Sequence, residues 1–232
     1  MCDGVDSDVA AAGSSGIVEA LEPVLGKKTC TVQVDGESFE VATSVLETLG
    51  LKLGDRLNPS QLQTLQTAAQ KRAAAAAALR YLQGRPRTHR EVEQHLTKKG
   101  HEQPAVTAVL ADLHASGVVD DGRFATWYVE ARLTHRPTGR SRLVREMAER
   151  GIDWSTAEAA AEAKLDRDRE WALARQAARG RQASLQRLPP DKAKRRLASF
   201  LSGRGFPMEI VRHICFEEVE AILASSETLA ND

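Results

Sequence analysis

Three times along this chain a charged helical pattern runs into a glycine. The stops Lys98-Lys99-Gly100, Glu149-Arg150-Gly151 and Gly203-Arg204-Gly205 lie 51 and 54 residues apart. Eight and four residues before each glycine stand apolar side chains: Val92 and Leu96, Leu143 and Met147, Leu197 and Leu201. A further short apolar helical pattern follows each stop. Such a period marks tandem helical units, which bury their apolar faces on their neighbours. Arrays of this kind present a long binding surface rather than an enclosed pocket.

The segments between the stops give three helices per unit. Asn58-Pro59 opens a long helix, with Asn as N-cap and Pro at the first position. It runs through Leu62, Leu65 and six consecutive alanines, the best helix formers, to Leu79 and Leu82. Thr88 caps the next helix with Glu91 three residues on. Gln103-Pro104 opens a third, with Val106, Val109, Leu110 and Leu113 on one stripe. In the second unit Phe124, Trp127, Tyr128 and Ala131 follow the same spacing and read as core. Thr138 or Ser141 starts the middle helix, and Ser155 caps the alanine-rich third. The third unit begins near Asp168, restarts at Pro189-Pro190-Asp191, and closes with Ile210, Val211, Ile214 and Val219.

Ahead of the array, residues 1–28 are rich in Ala, Gly, Ser and acid and read as disordered. Asp35-Gly36 between two alternating runs predicts a hairpin over 29–41, pairing Val32 with Phe39 and Cys30 with Val41. The fold class is all-α, with a small N-terminal β-hairpin. The expected domains are a hairpin-and-helix leader at 29–70, units at 71–117, 118–166 and 167–222, and a flexible tail at 223–232.

The formal net charge of zero hides a separation. Residues 1–70 carry 4 basic and 10 acidic side chains, whereas residues 71–150 carry 15 and 9. A basic middle points to a local anionic partner; a solvated face laced with ion pairs is the alternative. Arg132, Arg136, Arg140, Arg142 and Arg145 crowd around one helix–turn–helix, with Arg123 and Arg150 flanking. Arg85, Arg87, Arg90, Lys98 and Lys99 form a second cluster. Arginine's planar, weakly hydrated fork suits phosphate or carboxylate. Stacking platforms for single strands are not evident.

Nothing positive supports an enzyme. Phosphate loops and nucleophile elbows are missing, and the histidines lack HExxH or HxxxH spacing, so neither metal nor cofactor is expected. Asp120-Asp121 could be read as paired catalytic carboxylates, but helix capping explains them better. Three cysteines without a CxxC fit a reducing cytosol, and no run approaches a membrane span. A soluble, cytoplasmic monomer is expected.

The segment Val118-Val119-Asp120-Asp121-Gly122-Arg123-Phe124-Ala125, the turn Gly139-Arg140-Ser141-Arg142-Leu143 and the close Gly203-Arg204-Gly205-Phe206-Pro207 together resemble the RecX family of bacterial recombination regulators. The resemblance covers about residues 72–222, and residues 29–70 are similar to the hairpin leader of longer members. It implies an elongated, all-helical crescent lying in the groove of the RecA filament on single-stranded DNA. It further implies inhibition of RecA ATP hydrolysis, strand exchange and filament extension. An autonomous helical DNA-binding protein is the alternative. The family does not fix which basic residues bind. The charge pattern selects Arg85, Arg87, Arg90, Lys98, Lys99, Arg123, Arg132, Arg136, Arg140, Arg142 and Arg145 for contact with RecA or DNA.

Overall fold

In the computed structural model, residues 16–26 and 28–219 are described. The N-terminal part is a three-stranded antiparallel sheet, β1 (Val18–Pro23), β2 (Thr29–Val34) and β3 (Glu37–Ala42), in that order. Strands β2 and β3 form the expected hairpin, pairing Val32 with Phe39 and Cys30 with Val41. Its turn residues Asp35 and Gly36 have φ of 48° and 79°, both positive as a type I′ turn requires.

Strand β1 corrects the expectation of disorder through residue 28. Its pairing with β2 slips between Val18 and Ala20. That bulge breaks strict alternation, so the strand carries no period-two signal. The rest of that expectation, residues 1–15, lies outside the described residues, as does the tail expected at 223–232.

One compact unit takes the chain up to Gly84 together with Glu93–Ala115; the other takes Arg85–Val92 and the chain from Ser116 onward. In the first, Val18, Val32, Val34 and Val41 of the sheet share a core with Leu57 and Leu65. A short helix α1 (Thr43–Leu49) leads toward the long α2 (Pro59–Leu82). Asn58 and Gln61 cap α2 reciprocally, side chain to backbone in both directions. The hairpin's apolar face therefore docks on α2, which removes the marginal stability of an isolated hairpin. Further along α2, buried Ala74, Ala77 and Ala78 allow close helix packing. Helix α4 (Gln103–Ala115) buries Val106, Val109, Leu110 and Leu113 as its stripe predicts. Lys71 and Asp112 pair across α2 and α4 at 2.7 Å.

Helix α3 (His89–Lys98) starts at Thr88, whose hydroxyl accepts from Glu91 N at 3.1 Å. In the second compact unit, α5 (Asp121–His135), α6 (Arg140–Glu149) and α7 (Trp154–Lys164) enclose Phe124, Val129, Leu143, Met147 and Ile152. Three local expectations change here. Trp127 is 39% exposed, because the core face of α5 runs through Phe124, Ala125, Val129 and Leu133. Gly139 is the N-cap of α6, while Thr138 turns its hydroxyl to Arg136 O. Asp153, not Ser155, caps α7 and accepts from the backbone of Ser155 and Thr156.

The last unit contains α8 (Arg167–Arg179), a single turn α9 (Gln182–Leu185), α10 (Pro190–Gly203) and α11 (Met208–His213), which continues into a π-helical turn at Ile214–Glu218. It thus holds more than the three helices expected. Its core joins Ala174, Leu185, Leu197, Leu201, Phe206 and Ile214. The repeated glycines stop helices by left-handed backbone, with φ of 85° at Gly100, 88° at Gly151 and 81° at Gly205.

Candidate interaction surface

The polar residues around the middle helices mostly join one helical unit to the next. At the start of α3, His89 N donates to Asp121 Oδ1 at 2.9 Å, and Thr88 Oγ1 donates to Arg150 O at 2.8 Å. At the start of α6, Arg140 N donates to Glu170 Oε1 at 2.7 Å, and Gly139 N donates to Arg204 O at 2.9 Å. In both places an acid at the beginning of the next unit's first helix meets a free N–H of the middle helix, where the dipole favours negative charge. Asp120 caps its own helix α5 through Arg123 N. The two aspartates therefore divide the capping of two helices between them. Burial raises the Glu170 carboxyl, against the lowering effect of the Arg140 N–H and charge.

A network centred on Glu146 ties up several of the expected binding arginines. Arg132 Nε and Nη2 donate to its two oxygens at 3.0 and 2.9 Å, and Arg142 Nε donates at 2.8 Å. Tyr128 Oη donates at 2.8 Å. Burial alone would raise the Glu146 carboxyl, but the hydrogen bonds from Arg132, Arg142 and Tyr128 outweigh it and lower the carboxyl to about 2. Arg150 reaches Glu91 at 2.6 Å and lies 5.2 Å over the Tyr128 ring. Arg140 is held by Leu165 O at 2.8 Å and by Glu162 at 3.6 Å.

The expected set thus separates into two groups. Arg132, Arg140 and Arg142 are half-buried and hold structure; Arg87 is also half-buried. Arg85, Arg90, Arg123, Arg136 and Arg145 are exposed. Arg123 still reaches Gly117 O at 3.4 Å, and Arg145 stays within 3.9 Å of Glu149. Lys98 and Lys99 are exposed at the end of α3, in the other compact unit. The charge pattern did not reveal Arg150, Glu146 and Tyr128 as a network, and it left Arg181 and Arg204 out of the binding candidates. Arginine directly before Gly151 and Gly205 was the available signal for Arg150 and Arg204.

A cavity of about 650 Å³ beside α8 is lined by Asp168, Trp171, Arg175, Glu209, Arg212 and His213. Its charges are mixed, and His213 packs edge-on against Trp171 at 5.1 Å. Among the described residues no group of three or more His, Cys, Asp or Glu side chains could hold a metal ion. No described helix is long and apolar enough to cross a membrane. Cys30 and Cys215 are buried free thiols, and burial pushes the Cys215 thiol up to about 11.

These features define a tandem helical-repeat protein whose arginines serve both unit joining and surface charge. Models of the first, second and third three-helix domains of RecX match residues 74–113, 120–160 and 167–215. The regulatory protein RecX of Amycolatopsis mediterranei is 34% identical over 148 residues, covering 64% of this chain and 83% of that one. That of Halorhodospira halophila is 35% identical over 149 residues, covering 63% and 89%. A crystal structure of regulatory protein RecX superposes with a TM-score of 0.74 at 22% identity, covering 86% of this chain and 98% of that one. RecX from Lactobacillus salivarius gives 0.59 at 19% identity, covering 66% and 97%. The chain belongs to the RecX family of regulatory proteins.

Proposed function

We propose that this chain binds the RecA filament on single-stranded DNA and inhibits RecA ATP hydrolysis, strand exchange and filament extension. The carrying observation is the tandem of three RecX domains in order along one chain. It acts as a cytoplasmic monomer and needs no cofactor. The exposed cations supply the contacts to RecA and DNA, and the half-buried arginines hold the units that present them. Steady-state RecA ATPase on single-stranded DNA tests this. Purified chain added well below one copy per RecA reduces the rate; an unchanged rate at every ratio removes the reading. Reversing exposed Arg136 and Arg145 to Glu weakens inhibition by about tenfold or more, the scale of losing two charge-assisted contacts. Equal inhibition by the variant would exclude both residues.

A further inference from the structure

The two places where one unit's middle helix meets the next unit are built alike but charged differently. Thr88 lies twelve residues before Gly100, and Gly139 twelve before Gly151. Each contacts the carbonyl of the arginine preceding the next glycine, Arg150 and Arg204 respectively. At the first junction the Arg150 guanidinium is neutralised by Glu91, nine residues before Gly100. At the second, the residue nine before Gly151 is Arg142, a cation in place of an acid.

Arg204 instead donates to Pro137 O at 2.8 Å, and Arg142 donates to Gly203 O at 2.8 Å. These reciprocal bonds fix two guanidinium groups across the junction. The backbone there is too close for any side chain at Gly139, where a Cβ would strike Gly205 and Phe206. Arg181 and Arg204 share the Phe200 ring, at 4.4 and 4.8 Å from its centroid. Burial, and then the neighbouring charges of Arg136, Arg142, Arg181 and Arg132, lower the Arg204 guanidinium from its ordinary value. Five guanidinium groups thus converge with Glu146 as the carboxylate shared by Arg132 and Arg142, a net of +4. Among the described residues, Arg136, Arg181 and Arg204 meet no carboxylate. Beside them a cavity of about 210 Å³ is lined by Arg181, Ser184, Arg196, Ser199 and Phe200 together with Leu185 and Leu197.

We propose that this arginine cluster, where the second helical unit meets the third, binds the phosphates of a nucleic-acid strand. Arg136 and Arg181 make the direct contacts, and Arg142 and Arg204 supply fixed charge behind them. Assembling like charges costs energy unless an anion arrives, so the folded junction is preorganised for one. A phosphodiester strand repeats its charge every ~3.4 Å, a density that protein carboxylates seldom match. Planar forks and serine hydroxyls suit phosphate oxygens, and the occupied Phe200 ring leaves no base-stacking platform. The contact is therefore indifferent to base sequence.

The inference rests on the filament reading for its choice of nucleic acid, and the two fail separately. The test uses the full chain and a fluorescent oligothymidylate, titrated by anisotropy at several salt concentrations without RecA. Arg136→Gln/Arg181→Gln weakens binding about tenfold and lowers the slope of log affinity against log salt by about 1.4, as losing two single-strand phosphate contacts requires. The control Lys28→Gln/Lys52→Gln, at exposed lysines of the other compact unit, leaves both unchanged. Unchanged affinity and slope in the arginine variant overturn the proposal. So does displacement of the oligonucleotide by polyglutamate at equal charge concentration, which would point to an acidic protein surface. Absence of RecA inhibition by the unmodified chain, read in the ATPase assay, sinks only the filament reading.

Discussion

Glu146 is the acceptor for three side chains at once, so its charge state bears on stability directly. Its carboxyl is lowered from 4.5 to about 2 because burial is outweighed by the donors around it. A depressed folded value means stability that is complete above the unfolded value and lost as pH falls through the folded one. Glu146→Gln therefore destabilises by about 2–3 kcal/mol near neutral pH, since Arg132 and Arg142 lose a charged acceptor. The deficit relative to the parent shrinks between about pH 4.5 and 2, as the parent carboxyl protonates. Urea unfolding of both proteins at pH near 7 and near 3 checks this; a deficit constant across that range contradicts the network. In the sequence Glu146 is only an acid four residues after Arg142. What the sequence did not show is that Tyr128, Arg132 and Arg142 all aim at one carboxylate, because that depends on how α5 and α6 pack.

At the scale of elements, helix stops and amphipathic stripes were legible because they are local. Asn58 with Gln61, Thr88 with Glu91 and the Asp35-Gly36 turn all act within a few residues. The misreadings arose where a partner comes from elsewhere or the register slips. Strand β1 hides behind a bulge, and Asp121 caps a helix 32 residues away. The equivalent glycines also differ in a way their spacing does not reveal. A Cβ at Gly100 would meet open space, whereas at Gly205 it would strike the Arg142 backbone and Cβ. Both have left-handed backbone, so Gly100→Ala costs only about 1–2 kcal/mol. Gly205→Ala adds an overlap worth a further 1–3 kcal/mol or so. Thermal unfolding of the two variants separates them; equal shifts would mean that the second-to-third unit junction is looser than its geometry.

At the scale of the whole chain, zero net charge is compatible with the proposed binding function because the charges are sorted. The acidic excess lies in residues 1–70 and the basic excess in residues 71–150, with the remainder balanced at 13 each. The basic span was legible from composition, but its division of labour was not. Pairing with Glu146, Glu91 and Glu162 turns several arginines inward as structural ties, which no count of charge anticipates. A neutral chain gains little from long-range attraction, so the proposed affinity for DNA must come from a few close phosphate contacts. With the two direct contacts on a single strand, affinity falls roughly sevenfold between about 50 and 200 mM salt. A much steeper fall would require more phosphate contacts than the junction cluster supplies. A flat dependence would mean that phosphates are not what this chain grips. Anisotropy titrations across that salt range decide between these, and the intermediate slope is the expected outcome.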